Sequence, residues 1–195
     1  MSARGPRIPP LPRAEWTDRA RDVFGFFEGE TARENGSRSN TMMTLANHPD
    51  LAIASLSYGK YFMLESTLDA RQVKLIVLRV AHRYNSVYQW AHNSLGARQI
   101  GITDAEIEGV REGPGSAALA PQDRLLVRTV DQVCDGGRID DSTWAELCAI
   151  MDRRQIMDVI QATGYFTSVA WGLVAMGVEV EADFAQFSQN RAKSD

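Results

Sequence analysis

Apolar positions along this chain recur three and four residues apart, and no stretch alternates with a period of two. That spacing turns one face of an α-helix inward and predicts an all-α protein of roughly eight helices. Trp16, Ala20, Val23 and Phe27 form the first stripe, with Thr17 and Asp18 placed to cap or open its helix. Residues 28–40 are polar, carry Gly29 and Gly36, and read as a loop. His48 before Pro49 starts a helix containing Leu51, Ile53, Ala54 and Leu56. Asp69 suits the cap of the next, which runs to about Arg83 with Val73, Ile76, Val77 and Val80 as its stripe. Asn85 and Ser86 are N-cap types for a helix to about Ile100, stopped by Gly101, and Thr103 with Glu106 has the form of a capping box. Past a linker at 111–121 rich in Gly, Pro, Ser and Ala, Leu125, Leu126, Val130 and Val133 mark one helix. Trp144, Leu147 and Met151 mark another, and residues 156–178 a long apolar one.

The chain has 195 residues, enough for one well-buried core and small for two. Residues 1–14, basic and proline-rich without an apolar h-region, read as an extended arm rather than a secretory signal. Residues 15–187 form the single helical domain, and residues 188–195 a loose tail. The stretch 159–178 has no charged side chain and is long enough to cross a bilayer. Its Gln161, Thr163, Gly164, Thr167, Ser168 and Gly172, and the acidic flank without a Lys/Arg cluster, favour a buried helix. A net charge of −4 with scattered Lys and Arg gives no footprint for nucleic acid or an anionic membrane. Cys134 and Cys148 are too far apart for a CxxC pair and too few for a disulfide framework, which fits a reducing cytoplasm. No metal-ligand cluster, phosphate loop or nucleophile elbow is present, so no metal or other cofactor is expected.

Residues 71–101, with Lys74 ahead of Ser86, Gln89 and Asn93, and Gly101-Ile102-Thr103-Asp104 closing the stretch, resemble the carboxymuconolactone decarboxylase and alkylhydroperoxidase-D-like family. Pro9-Pro10-Leu11-Pro12 with Glu15-Trp16, Leu45 to Pro49, Asp141 to Trp144 and Gln155 to Tyr165 extend the likeness over nearly the whole chain. The resemblance implies an AhpD-like helical bundle, a small-molecule substrate and a homo-oligomer, often a trimer or hexamer. Redox-active relatives carry a glutamate ahead of a CxxC pair and a relay histidine four residues after its second cysteine. Here those places hold Lys74, Ser86, Gln89 and Asn93, all changed. A peroxidase needs a low-pKa thiolate and a resolving thiol, which a serine without an adjacent base does not supply. Decarboxylase relatives keep a glutamate and a histidine in this set, and Gln89 and Asn93 carry neither charge.

Ser86, Gln89 and Asn93 fall at i, i+3 and i+7, on one helical face near a helix start. Such neutral hydrogen-bonders suit a carbonyl, carboxylate or developing oxyanion; equally, Ser86 caps the helix while the two amides bond neighbouring helices. For proton transfer, His82 is an acid or base near neutral pH or a solvated histidine at a helix C-terminus. Lys74 is a desolvated base or a surface lysine. His92, next to Asn93, is turned about 100° from the expected relay position. Tyr88 and Tyr165, with Tyr84, Trp90 and Phe166, are pocket walls or core. The function these residues imply is a cofactor-free lyase or isomerase acting on a small organic acid, lactone or related carbonyl compound. A non-catalytic binding or assembly protein is the alternative, and a thiol peroxidase the least supported reading.

Overall fold

The structure, a computed structural model, describes residues 5–184 and 186. Thr17 opens α1 (Asp18–Glu28) with its hydroxyl accepting from the Ala20 N–H, and the helix buries Ala20, Val23 and Phe24. Phe24 rather than Phe27 takes the inner position; Phe27 is 43% exposed. Residues 28–40, expected as loop, contain α2 (Glu30–Asn35) and the approach to α3 (Asn40–Leu45). Gly29, at φ 76, reverses the chain, and a Cβ on Gly25 would come within 3.0 Å of the Arg33 Cβ, so glycine lets α2 lie against α1. Arg33 then pairs with Asp22 at 3.1 Å. So short a helix is held by this packing and not by propensity, which is why the residue pattern hid it.

His48 caps α4 (Pro49–Leu64), and Asp69 with Gln72 forms a complete capping box on α5 (Ala70–Arg83). After a three-residue turn comes α6 (Val87–Gln99). Then follow α7 (Asp104–Glu112), opened by the Thr103–Glu106 capping box, α8 (Pro121–Gly136) and α9 (Asp141–Ile150). Asp152 with Gln155 boxes the start of α10 (Arg153–Met176). Ten α-helices and no strand appear among the described residues, so the all-α fold is as the periodicity predicts.

The central helix is α5, which packs on α6, α7, α8 and α10. Its Leu75, Ile76, Leu78 and Val80 are fully enclosed, and their main cluster includes Phe62, Val110, Val127, Val159 and Ala162. A second cluster joins α1, α3 and α4 through Val23, Phe24, Ala46 and Ala52. Buried Arg79 is well satisfied: its guanidinium forks onto Asp131 at 2.7 and 2.8 Å and donates to Val110 O and Arg111 O at the end of α7.

By length and composition α10 is the one helix among the described residues able to cross a bilayer, at 24 residues and a mean hydropathy of 1.2. Its Val159, Ala162, Thr163, Phe166 and Ala170 are buried on the α5 and α8 side, as in a core helix, while Met157, Trp171 and Val174 stay exposed. The arm is extended and held: Arg7 and Ile8 N–H groups bond Met176 O, and Leu11 N–H bonds Met43 O. Residues 1–4 of that arm and the 188–195 tail lie outside the described residues.

Candidate functional site

Asn85, with φ 53, makes the sharp turn that lets α5 and α6 fold against each other. The Ser86 N–H bonds Ala81 O at 2.9 Å, and the residue stands at the N-cap of α6, but its hydroxyl makes no capping bond. The expectation that Ser86 caps this helix is therefore corrected. Its Oγ is instead buried and without a partner, at 1% residue exposure. The N–H groups of Tyr88 and Gln89 find no acceptor among the described residues either. The opening turn of α6 is thus a cluster of unused donors.

Ser86 and Tyr88 of that turn border a groove of about 210 Å³ between the start of α6 and the end of α10. Asn85, Ser86, Val87 and Tyr88 form one bank; Leu173, Val174, Gly177 and Val178 form the other. Of the residues singled out from the sequence, Ser86 and Tyr88 reach it. Gln89 is buried one turn deeper, its Nε2 donating to Phe166 O at 3.3 Å while Oε1 has no partner. Asn93 lies deeper still, its Nδ2 donating to Gln89 O and its Oδ1 accepting from Lys74 Nζ at 2.9 Å. Both amides thus make contacts to neighbouring helices. Lys74 is half-buried, which pushes its pKa down, and Gly96 makes room for it: a Cβ there would stand 3.0 Å from Nζ.

His82 points elsewhere. Its ring packs edge-on to Trp90 with centroids 6.2 Å apart, and this partial cover, then the nearby cations Arg79 and Arg111, lower its pKa. Tyr165 is also remote from the groove lining, in an aromatic cluster with Tyr58, Phe62 and Phe166, its hydroxyl fitted against Gly59. Burial raises its pKa.

His92 and Tyr88 stand together on the outer flank of α6, around a residue that sequence reasoning missed. Glu181, on the segment following α10, accepts from the Tyr88 hydroxyl at 2.7 Å and from the Asn40 N–H at 2.6 Å, and lies 2.7 Å from His92 Nε2. The His92 ring is stacked between Tyr88 and Phe184, with centroids 4.4 and 4.0 Å away. Burial alone would raise the Glu181 carboxyl, but the donors from Tyr88, Asn40 and His92 outweigh it and hold its pKa below the usual range. Burial pushes the Tyr88 phenol up to about 12, with Glu181 adding to the shift. Nothing in the spacing signals this cluster, since Glu181 and His92 are 89 residues apart. No group of three or more metal-ligating side chains occurs among the described residues.

No protein-family model matches the chain, and no curated protein matches it. Solved structures do. An alkylhydroperoxidase AhpD core protein from Ralstonia eutropha JMP134, described as peroxidase-related, superposes with a TM-score of 0.79 at 17% identity, over 96% of this chain and 98% of that one. A peroxidase-related protein from Silicibacter sp. TM1040 gives 0.76 at 17% identity over 94% and 97%. The debrominase Bmp8 gives 0.74 at 16% identity over 93% and 95%. A cysteine-to-alanine variant of Bmp8 has been solved with 2,3,4-tribromopyrrole. At these identities the likeness is one of fold, and it agrees with the resemblance carried by residues 71–101.

Proposed function

Starting from this chain's AhpD-like fold, we propose that it is a cofactor-free lyase or isomerase acting on a small organic acid, lactone or related carbonyl compound in the groove at the start of α6. The observation that carries this reading is the buried, unpartnered Ser86 hydroxyl beside the uncapped first turn of α6, on a residue that lines a groove. A buried donor without an acceptor is costly, about 1–3 kcal/mol, and such groups belong where something else completes them. Ser86 Oγ–H and the first N–H groups of α6 would receive a carbonyl oxygen and hold the charge that develops there.

For isomerisation or elimination, a C–H bond next to that carbonyl breaks and its electron pair forms the enolate. The proton passes to Tyr88, which accepts on its oxygen while handing its own proton to the Glu181–His92 pair. In isomerisation it returns to a different carbon; in elimination it leaves with the departing group. His92 is favoured over Lys74 and His82 because hydrogen bonds connect it, through Glu181, to a residue lining the groove. Lys74 is tied to Asn93, seven residues and about 10 Å further along α6 than Ser86. We place the protein in the cytoplasm, as a homo-oligomer.

One observation favours the non-catalytic alternative: neither Lys74 nor His82 lines the groove. A thiol route has least support, because α6 carries no cysteine and burial pushes the half-buried Cys134 thiol up. The debrominase neighbour extends the panel of compounds worth assaying to halogenated aromatics. The test is a turnover screen of small lactones, keto acids and enones with the intact protein. Ser86→Ala and His92→Gln should each lower turnover on the order of tenfold to a thousandfold, with Lys74→Met lowering it less. Full activity in both Ser86→Ala and His92→Gln would overturn the assignment, and binding without turnover would leave the non-catalytic reading.

A further inference from the structure

The groove has an electrostatic character that its neutral lining does not advertise. One bank is the N-terminus of α6, with an unused N–H at Tyr88, the positive end of a helix dipole. The other bank is the C-terminus of α10, a helix of 24 residues whose last turn ends at Gly177. That bank offers the negative end of a dipole. Three of its last four carbonyls are already engaged: Gly177 N–H bonds Val174 O, Val178 N–H bonds Leu173 O, and Met176 O takes the Arg7 and Ile8 N–H groups. The groove's hydrogen-bond donors stand on the α6 side. No lysine, arginine or histidine lines the groove, and the nearest carboxylate in the hydrogen-bond network, Glu181, lies one side chain behind Tyr88. Val87, Leu173, Val174 and Val178 supply apolar walls.

A net negative charge in this place gains from α6, is opposed by the end of α10 and by Glu181, and meets no cation. A neutral dipole gains from both helix ends if its oxygen points at Ser86. From this arrangement we propose that the groove selects an uncharged carbonyl compound, bound with its oxygen at Ser86 and the α6 amides and its hydrocarbon part along Leu173 and Val174, and disfavours the carboxylate of the same shape. This rests on the reading of the groove as the substrate site and narrows it: a free carboxylate, and with it decarboxylation, is set aside in favour of isomerisation or elimination on a ketone, ester or lactone. The volume of about 210 Å³ is smaller than pockets for drug-sized ligands, about 300 Å³ and above, and fits a small molecule.

Butyl methyl ketone and pentanoate differ only in replacing a methyl by a charged oxygen, and they form the test pair. Titrating each into the full-length protein while following backbone amide resonances should move those of Tyr88 and Gln89 with the ketone. The affinity for pentanoate should be about tenfold or more weaker, the equivalent of about 1.4 kcal/mol. Ser86→Ala should weaken the ketone by about fivefold, one neutral hydrogen bond. Val174→Trp, at a position 51% exposed and so tolerant of substitution, should fill the groove and abolish the effect. Equal or tighter binding of pentanoate overturns the inference, as does an absence of binding by either probe into the tens of millimolar, or ketone binding that ignores both variants. Ketone-selective binding with no turnover of any carbonyl compound would leave this inference standing and remove the enzymatic reading instead.

Discussion

Glu181 shows how much a single side chain can hold. Its carboxylate joins the start of α3 through Asn40, the outer flank of α6 through Tyr88 and His92, and the segment after α10 to which it belongs. Because the folded-state pKa is lowered, the carboxylate stabilises these contacts above the ordinary glutamate range. That contribution is lost as pH falls from about 4.3 through the lowered folded value. The protection of amides in residues 177–184, measured against their intrinsic exchange rate at each pH, should therefore fall selectively on acidification. In Glu181→Gln that protection should be low already at neutral pH and lose the dependence. If protection falls equally with acid in the variant, Glu181 is not the group that holds the segment. Lys74 illustrates the opposite case, a charged residue drawn partly out of water and donating to the Asn93 amide, for which burial lowers the pKa.

At the level of the element, the helix starts divide into two kinds. Most are closed: Thr17, Ser39, His48, Asp69, Thr103, Asp140 and Asp152 each accept from a backbone N–H in the turn they open, and three of them complete a capping box. The start of α6 is open although Ser86 is a good capping type. Substitution should separate the two kinds. Thr103→Ala removes a working cap from α7 and should cost about 1 kcal/mol of stability in chemical denaturation. Ser86→Ala removes a hydroxyl that bonds nothing, so it should leave stability unchanged or raise it slightly, while weakening whatever binds in the groove. A loss of stability in Ser86→Ala as large as in Thr103→Ala would show that Ser86 is a structural cap after all. The same helix start is also where the chain resembles the CxxC stretch of redox-active relatives, so the departure in sequence and the departure in capping coincide at one turn.

At the scale of the whole molecule, the exposed apolar side chains gather on α4, α9 and α10: Leu51, Leu64, Trp144, Met157 and Trp171 are between 45% and 69% exposed. The homo-oligomer implied by the family resemblance would cover surface of this kind. Sedimentation should find an assembly larger than a monomer, and Trp171→Glu should shift it toward smaller species. A monomer at micromolar concentration would remove that expectation.

The helices were legible because their signals are local. Asp69 with Gln72, Thr103 with Glu106 and the apolar stripe of α5 sit within a few residues of one another, and helix periodicity follows from backbone geometry alone. The α2 helix was not, since Gly25, Arg33 and Asp22 make it worthwhile only once the chain has reversed at Gly29. In the candidate site, the shared face of Ser86, Gln89 and Asn93 could be read from spacing, as could the turned position of His92. Which of them meets a groove, and which is consumed by a partner, depended on Phe166, Lys74 and Glu181, which lie 77, 19 and 89 residues away from the side chains they engage. Local pattern is enough for the all-α architecture, the capped starts of α1, α4, α5 and α7 and the absence of a thiol pair on α6. That Ser86 is left without a partner, that α10 ends opposite it and that His92 is joined to Glu181 emerge with the packed fold, because hydrogen-bond satisfaction and helix-dipole placement are properties of groups brought together from distant parts of the chain.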